Sequence, residues 1–182
     1  MTNPTTENGS SPGLAPPAPE AGRPRAGTWA WLVATFFGAG RLKPGPGTWG
    51  SLATVVLWWV LCHWIPPQLQ TFAAIALALL AIVSGIPAAT RVARETGIKD
   101  PGFVVIDEVA GQMITLIAAP VAWKSLLIGF ILFRGFDIVK PPPLRLLERI
   151  PEGAGIVLDD VGAGLYGFAV LQFLLHLAPL HR

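Results

Sequence analysis

Five carboxylates, Asp107, Glu108, Asp137, Asp159 and Asp160, lie within or at the ends of apolar runs, in the company of Arg134 and Lys140. Ionisable groups in such surroundings are costly and rare unless they serve a site or satisfy one another. Two cations cannot neutralise five anions, and buried negative charge in excess asks for a metal ion. The ligands on offer are all oxygen, with no His or Cys nearby, which suits Mg2+ rather than zinc, and Mg2+ suits phosphate chemistry. Arg134 would then clamp a phosphate with its planar fork, and Lys140 would act as a mobile point charge. For any one acid, an ion pair or a helix-start charge favoured by the macrodipole is a sufficient account. The set as a whole carries the chemical reading.

A second candidate is LKPGPGTWGS, residues 42–51, where a Gly/Pro loop runs straight into a long apolar segment. Glycine allows close backbone approach, and the free N–H groups of a helix start favour an anion. Gly47, Thr48, Gly50 and Ser51 are therefore candidate phosphate-binding positions. The plain alternative is a helix-entry turn capped by Thr48 or Ser51.

The elements that must position these residues are apolar. Of 182 residues, 52% are hydrophobic and 13% charged, with a mean hydropathy of +0.56. That composition belongs to a membrane protein. The net charge of +2 comes from basic residues near the ends of apolar runs, a topology and anionic-lipid signal that argues against a nucleic-acid partner. The single Cys62 excludes an internal disulfide. Residues 1–26, rich in Pro, Gly, Ala, Ser and Thr, cannot bury enough surface to fold and read as a disordered tail before a helical domain at 27–182. Thr28 to Gly40 reads as a short amphipathic or re-entrant helix with Trp29 and Trp31 at the interface.

Apolar spans follow at about 52–65, 69–90, 104–119, 123–139 and 156–177, several of them near the lower limit for crossing a bilayer. The fold class is all-α, a compact membrane-embedded bundle of about four to six apolar helices. The connections at Pro66–Pro67 and Pro120–Trp123 are nearly bare of charge, whereas the others hold most of the Lys and Arg and are cytoplasmic by the positive-inside rule. With sides alternating at each span, the 41–51 loop, the start of span three, the end of span four and the start of span five share the cytoplasmic end. Four separated motifs then make one site. Asp107, Gly111 and Thr115 repeat at four-residue spacing, Arg134 and Asp137 share a helix face, and Gly162 and Gly164 follow the aspartate pair, so neighbouring helices can approach closely there. LRLLER, residues 144–149, reads as an interfacial segment with Arg145 and Arg149 on lipid phosphates, or as a plain linker helix. His63, His176 and His181 lie away from the acids and receive no role.

GPGTWGSL at 45–52, VIDEVAG at 105–111, FRGFDIVKPPPLR at 133–145 and GIVLDDVGAG at 155–164, in this order, resemble the phosphatidylglycerophosphatase A family over about residues 31–177. The resemblance implies a Mg2+-dependent enzyme of the bacterial cytoplasmic (inner) membrane, facing the cytoplasm, that removes the terminal phosphate of phosphatidylglycerophosphate to give phosphatidylglycerol. Asp107, Glu108, Asp137, Asp159 and Asp160 then stand as catalytic and metal-holding residues, and Arg134 and Lys140 as phosphate-binding ones. Attack by water and a covalent aspartyl-phosphate are both open, as are one or two metal ions. Three other readings start from the same acids. A cation- or proton-coupled transporter would need acids near mid-span and a polar opening on the far side. A phosphatase on another lipid phosphate would share all the residues and differ in headgroup. A CDP-alcohol phosphotransferase would need a longer paired-aspartate pattern than the chain contains.

Overall fold

A computed structural model describes residues 25–142, 144–147 and 150–177, and among these every regular element is a helix. In chain order they are α1 (Gly27–Ala34), a 3-10 turn at Ala39–Arg41, α2 (Pro46–Leu61), α3 (Pro67–Thr96), α4 (Ile106–Thr115), α5 (Trp123–Val139), α6 (Leu144–Leu147) and α7 (Glu152–Leu177). Most of the tail expected at residues 1–26 lies outside the described residues, as do Arg149 and His181. Ala26, however, belongs to the packed domain: it is buried, and its N–H donates to Glu95 at 2.6 Å.

Proline and glycine punctuate the chain as their chemistry dictates. α2 and α3 each carry Pro in the first turn, where the missing N–H costs nothing, and α3 ends on Gly97 in the left-handed conformation. α5 stops at Lys140, itself left-handed, before the proline run. No side chain caps α2. Ser51 instead donates to its own helix at Gly47 O, 2.8 Å away, so the expected capping role is not what it does.

Two expectations about span lengths are corrected. α4 has ten residues, about 15 Å at 1.5 Å each, too short to cross a bilayer, and the chain turns at Leu116–Ala118. α7 starts at Glu152, a turn earlier than its apolar run, which sets Asp159 and Asp160 about two turns inside the helix rather than at its mouth. Among the described residues, two helices, α3 and α7, are long and apolar enough to cross a membrane. α5, at Trp123–Val139, has the expected bounds.

α4 and α7 form the centre. They pack most extensively on each other, with α3 and α5 on their flanks. Small residues make this possible: a Cβ at Gly164 would stand 2.5 Å from the Gly111 carbonyl oxygen, and one at Gly167 would strike Thr115. Thr115 ties the pair together, its hydroxyl lying 3.1 Å from Gly111 O and 3.2 Å from Gly164 O. α3 turns a stripe of Ala74, Ala78, Ala81, Gly85, Ala88 and Ala89 inward, and shows Phe72, Leu79, Leu80 and Val83 outward. Its apolar window is only 33% buried, against 56% for α7. Phe37 and Trp64 are exposed too, at 78% and 84%. Exposed apolar faces on long helices are typical of surfaces that meet a lipid or a partner.

Candidate functional site

The start of α2, the start of α4, the end of α5 and the third turn of α7 meet at one end of the bundle. Asp107 and Glu108 lie in the first turn of α4, where partial positive charge favours acids. Close packing at Gly111 brings α7 against that turn, so Asp160 completes a group: Asp107, Glu108 and Asp160 each offer an oxygen, and these oxygens lie within 4.8 Å of one another. Asp107 and Asp160 are buried, and Glu108 is nearly so. Asp107 Oδ1 and Glu108 Oε2 are buried without a hydrogen-bond partner.

α4 is too short to cross a bilayer, and its two acids are shifted by their setting. Burial pushes the Asp107 carboxyl well above the usual carboxylate range, and the neighbouring Glu108 charge pushes it further. Burial also raises Glu108, partly offset by its hydrogen bond with Asp107 and by the Arg134 charge. A cation among the three acids would relieve the repulsion between them.

The two bases are already held. Arg134 pairs with Asp137 at 2.7 Å, as their i,i+3 spacing led one to expect, and its Nη1 lies 3.8 Å from Glu108. Its Nε is buried with no hydrogen-bond partner among the described residues. Lys140 Nζ donates to Asp159 Oδ2 at 2.7 Å, and Asp159 Oδ1 accepts from the Asp160 N–H at 3.0 Å. The five acids are therefore not equivalent. Three form a cluster, while Asp137 and Asp159 each hold a base.

The candidate phosphate loop divides as well. Gly47 lies against the cluster: a Cβ there would collide with Glu108 and crowd Arg134. Thr48 is exposed at the same helix start. Gly50 is buried under Val105, and Ser51 is fully buried, so both serve packing rather than an open anion site. The five residues 47–51 carry no pattern that separates a helix's site face from its core face in the sequence. Gln112, one turn beyond Glu108, is fully buried with neither amide atom hydrogen-bonded among the described residues. Its amide in an apolar run, four residues after Glu108, is the signal the sequence carries for it. Lys99 and Asp100, in the α3–α4 connection, also border the site region through a cavity that reaches Asp159. Arg145 is exposed, with its Nε on Lys140 O. His63, in the turn just past the end of α2 and at the opposite end of that helix from Gly47, bonds the Trp59 carbonyl at 2.8 Å.

The class so defined is an all-helical protein with long apolar helices and one carboxylate-rich site crossed by an arginine and a lysine. A profile of the phosphatidylglycerophosphatase A family matches residues 32–175. Phosphatidylglycerophosphatase A of Escherichia coli (strain K12) is 36% identical over 151 residues, covering 82% of this chain and 85% of the relative. The protein of the same name from Haemophilus influenzae is 37% identical over 142 residues, 77% of this chain and 85% of the relative. A Bacteroides thetaiotaomicron protein named "Putative phosphatidylinositol-3-phosphatase" is 38% identical over 143 residues, 77% of this chain and 89% of the relative. No solved structure matches. The chain belongs to the phosphatidylglycerophosphatase A family.

Proposed function

We propose that this protein hydrolyses the terminal phosphomonoester of phosphatidylglycerophosphate, releasing phosphatidylglycerol, at the cytoplasmic side of a bacterial inner membrane. The observation that carries the reading is the convergence of Asp107, Glu108 and Asp160 within 4.8 Å beside the buried Arg134 guanidinium. The names of the family and of two relatives supply the headgroup. The outward apolar faces of α3 and the length of α7 support placement in a bilayer.

An all-oxygen trio with two orphan buried oxygens fits a hard divalent cation, and Mg2+ is the one we propose. When bound, it would neutralise charge developing on the phosphoryl oxygens and make a nucleophile available at neutral pH. Asp107, Glu108 and Asp160 would hold it. Arg134 binds phosphate through the donor its pair with Asp137 leaves over, and that pair keeps the fork from swinging away. Asp159 holds the Lys140 ammonium at the same end of the bundle. Donors fixed before substrate arrives need no reorganisation in the transition state. Gly47 keeps the start of α2 clear of Glu108 and Arg134, so its backbone can approach the same phosphate.

The test is phosphate release by the purified full chain from phosphatidylglycerophosphate in mixed micelles. Release that needs Mg2+, stops with chelator and returns on Mg2+ addition is the expected result. No release at saturating Mg2+ by folded protein would overturn the reading.

A further inference from the structure

Lys99 is a cation the site above does not use. It is exposed in the α3–α4 connection and makes no ion pair among the described residues. With Asp100 it forms one wall of a cavity of about 220 Å³. The facing wall is a single stripe of α7, namely Glu152, Gly155, Ile156 and Asp159, at the spacing that puts residues on one helix face. Both ends of the stripe are fixed: Arg94 holds Glu152 at 2.5 Å, and Lys140 holds Asp159 at 2.7 Å. Asp159 thus belongs both to this cavity and to the neighbourhood of the carboxylate cluster, through Asp160 next to it in the chain.

We propose that this cavity receives the polyol of the lipid headgroup, with Lys99 selecting substrates that carry a phosphodiester beyond that polyol. This rests on the reading under Proposed function and adds the headgroup determinant to it. The lining alternates carboxylate acceptors with one ammonium donor: hydroxyls of a polyol donate to Asp100, and a phosphodiester oxygen accepts from Lys99. The volume is somewhat above the roughly 150 Å³ of a cavity that takes up benzene, which is the scale of a glycerol phosphate and far short of a diacylglycerol. The names of the relatives point the same way. Phosphatidylglycerophosphate and phosphatidylinositol 3-phosphate both place a polyol between the reacting phosphate and the phosphodiester, glycerol in one and inositol in the other. A shared phosphate site beside a polyol cavity accommodates both, whereas phosphatidic acid has no group to fill it.

The experiment compares kcat/KM of the unaltered full chain, Lys99→Gln and Lys99→Arg on phosphatidylglycerophosphate and on phosphatidic acid in identical micelles. The unaltered protein should prefer the first lipid. Lys99→Gln should lose about tenfold on it, mainly through KM, as expected for one charged contact worth about 1.4 kcal/mol. Its rate on phosphatidic acid should stay the same, and Lys99→Arg should recover most of the preference. Equal losses on both lipids, or no loss on either, would overturn the cavity's role. An unaltered protein inactive on both lipids would overturn the parent reading, and this one with it.

Discussion

Arg134 and Asp159 are the residues whose partners decide what a substitution does. Arg134→Lys keeps the charge but loses the planar fork and the Nε donor, so turnover should fall by about one to two orders of magnitude while Mg2+ binding, followed by titration, persists. Asp159→Asn leaves the cluster of Asp107, Glu108 and Asp160 intact and releases Lys140, so its loss in turnover should be clearly smaller than that of Asp160→Asn in the same assay. The i,i+3 pair of Arg134 and Asp137 was legible because helix geometry fixes it from spacing alone. The Lys140–Asp159 pair, nineteen residues apart, was not, because it depends on how the end of α5 meets α7. Five acids therefore read as one metal set in sequence, and the fold divides them into three that cluster and two that hold bases.

At the level of helices, the site depends on how closely α4 and α7 approach. Gly164→Ala should put a methyl group against the Gly111 backbone, with no flexible side chain to yield. A cost of about 1–3 kcal/mol is typical of overpacking and should appear as a lower Tm, with activity falling because Asp160 retreats from α4. Gly102→Ala, with nothing within 4 Å of its added Cβ, is the matched control and should change neither. The small residues around the acids announced a close approach in the sequence, and the bounds of α5 followed from Pro120 and the prolines after Lys140. The early start of α7 did not, because PEGAG has the composition of a turn. Tertiary contact overrides that preference: Gly153 packs against the backbone of α3 at Ile86 and Thr90, and its N–H donates to the Thr90 hydroxyl at 3.1 Å. The shortness of α4 was hidden for the opposite reason, since an apolar run shows burial but not where the chain bends.

Across the whole molecule, charge asymmetry predicts that cysteines placed at Lys43, Lys99 and Arg145 react from the cytoplasmic face and one at Gln68 from the other. Labelling of positions 99 and 145 from opposite faces would contradict a single site at one end of the bundle. Deleting residues 1–24 should leave specific activity within about threefold, because their composition offers no core, and the cut should stop before Ala26, whose N–H is held by Glu95. The central claim is that Asp107, Glu108 and Asp160 jointly hold the ion that phosphate hydrolysis needs. It is tested most directly by titrating Mg2+ into the unaltered protein and into Asp107→Asn, Glu108→Gln and Asp160→Asn, with phosphate release from phosphatidylglycerophosphate measured on the same preparations. Each amide should weaken Mg2+ binding and cut turnover on the order of a thousandfold, the equivalent of about 4 kcal/mol of transition-state stabilisation, with Tm little changed. Near-normal Mg2+ binding and turnover in two of the three variants would contradict the account.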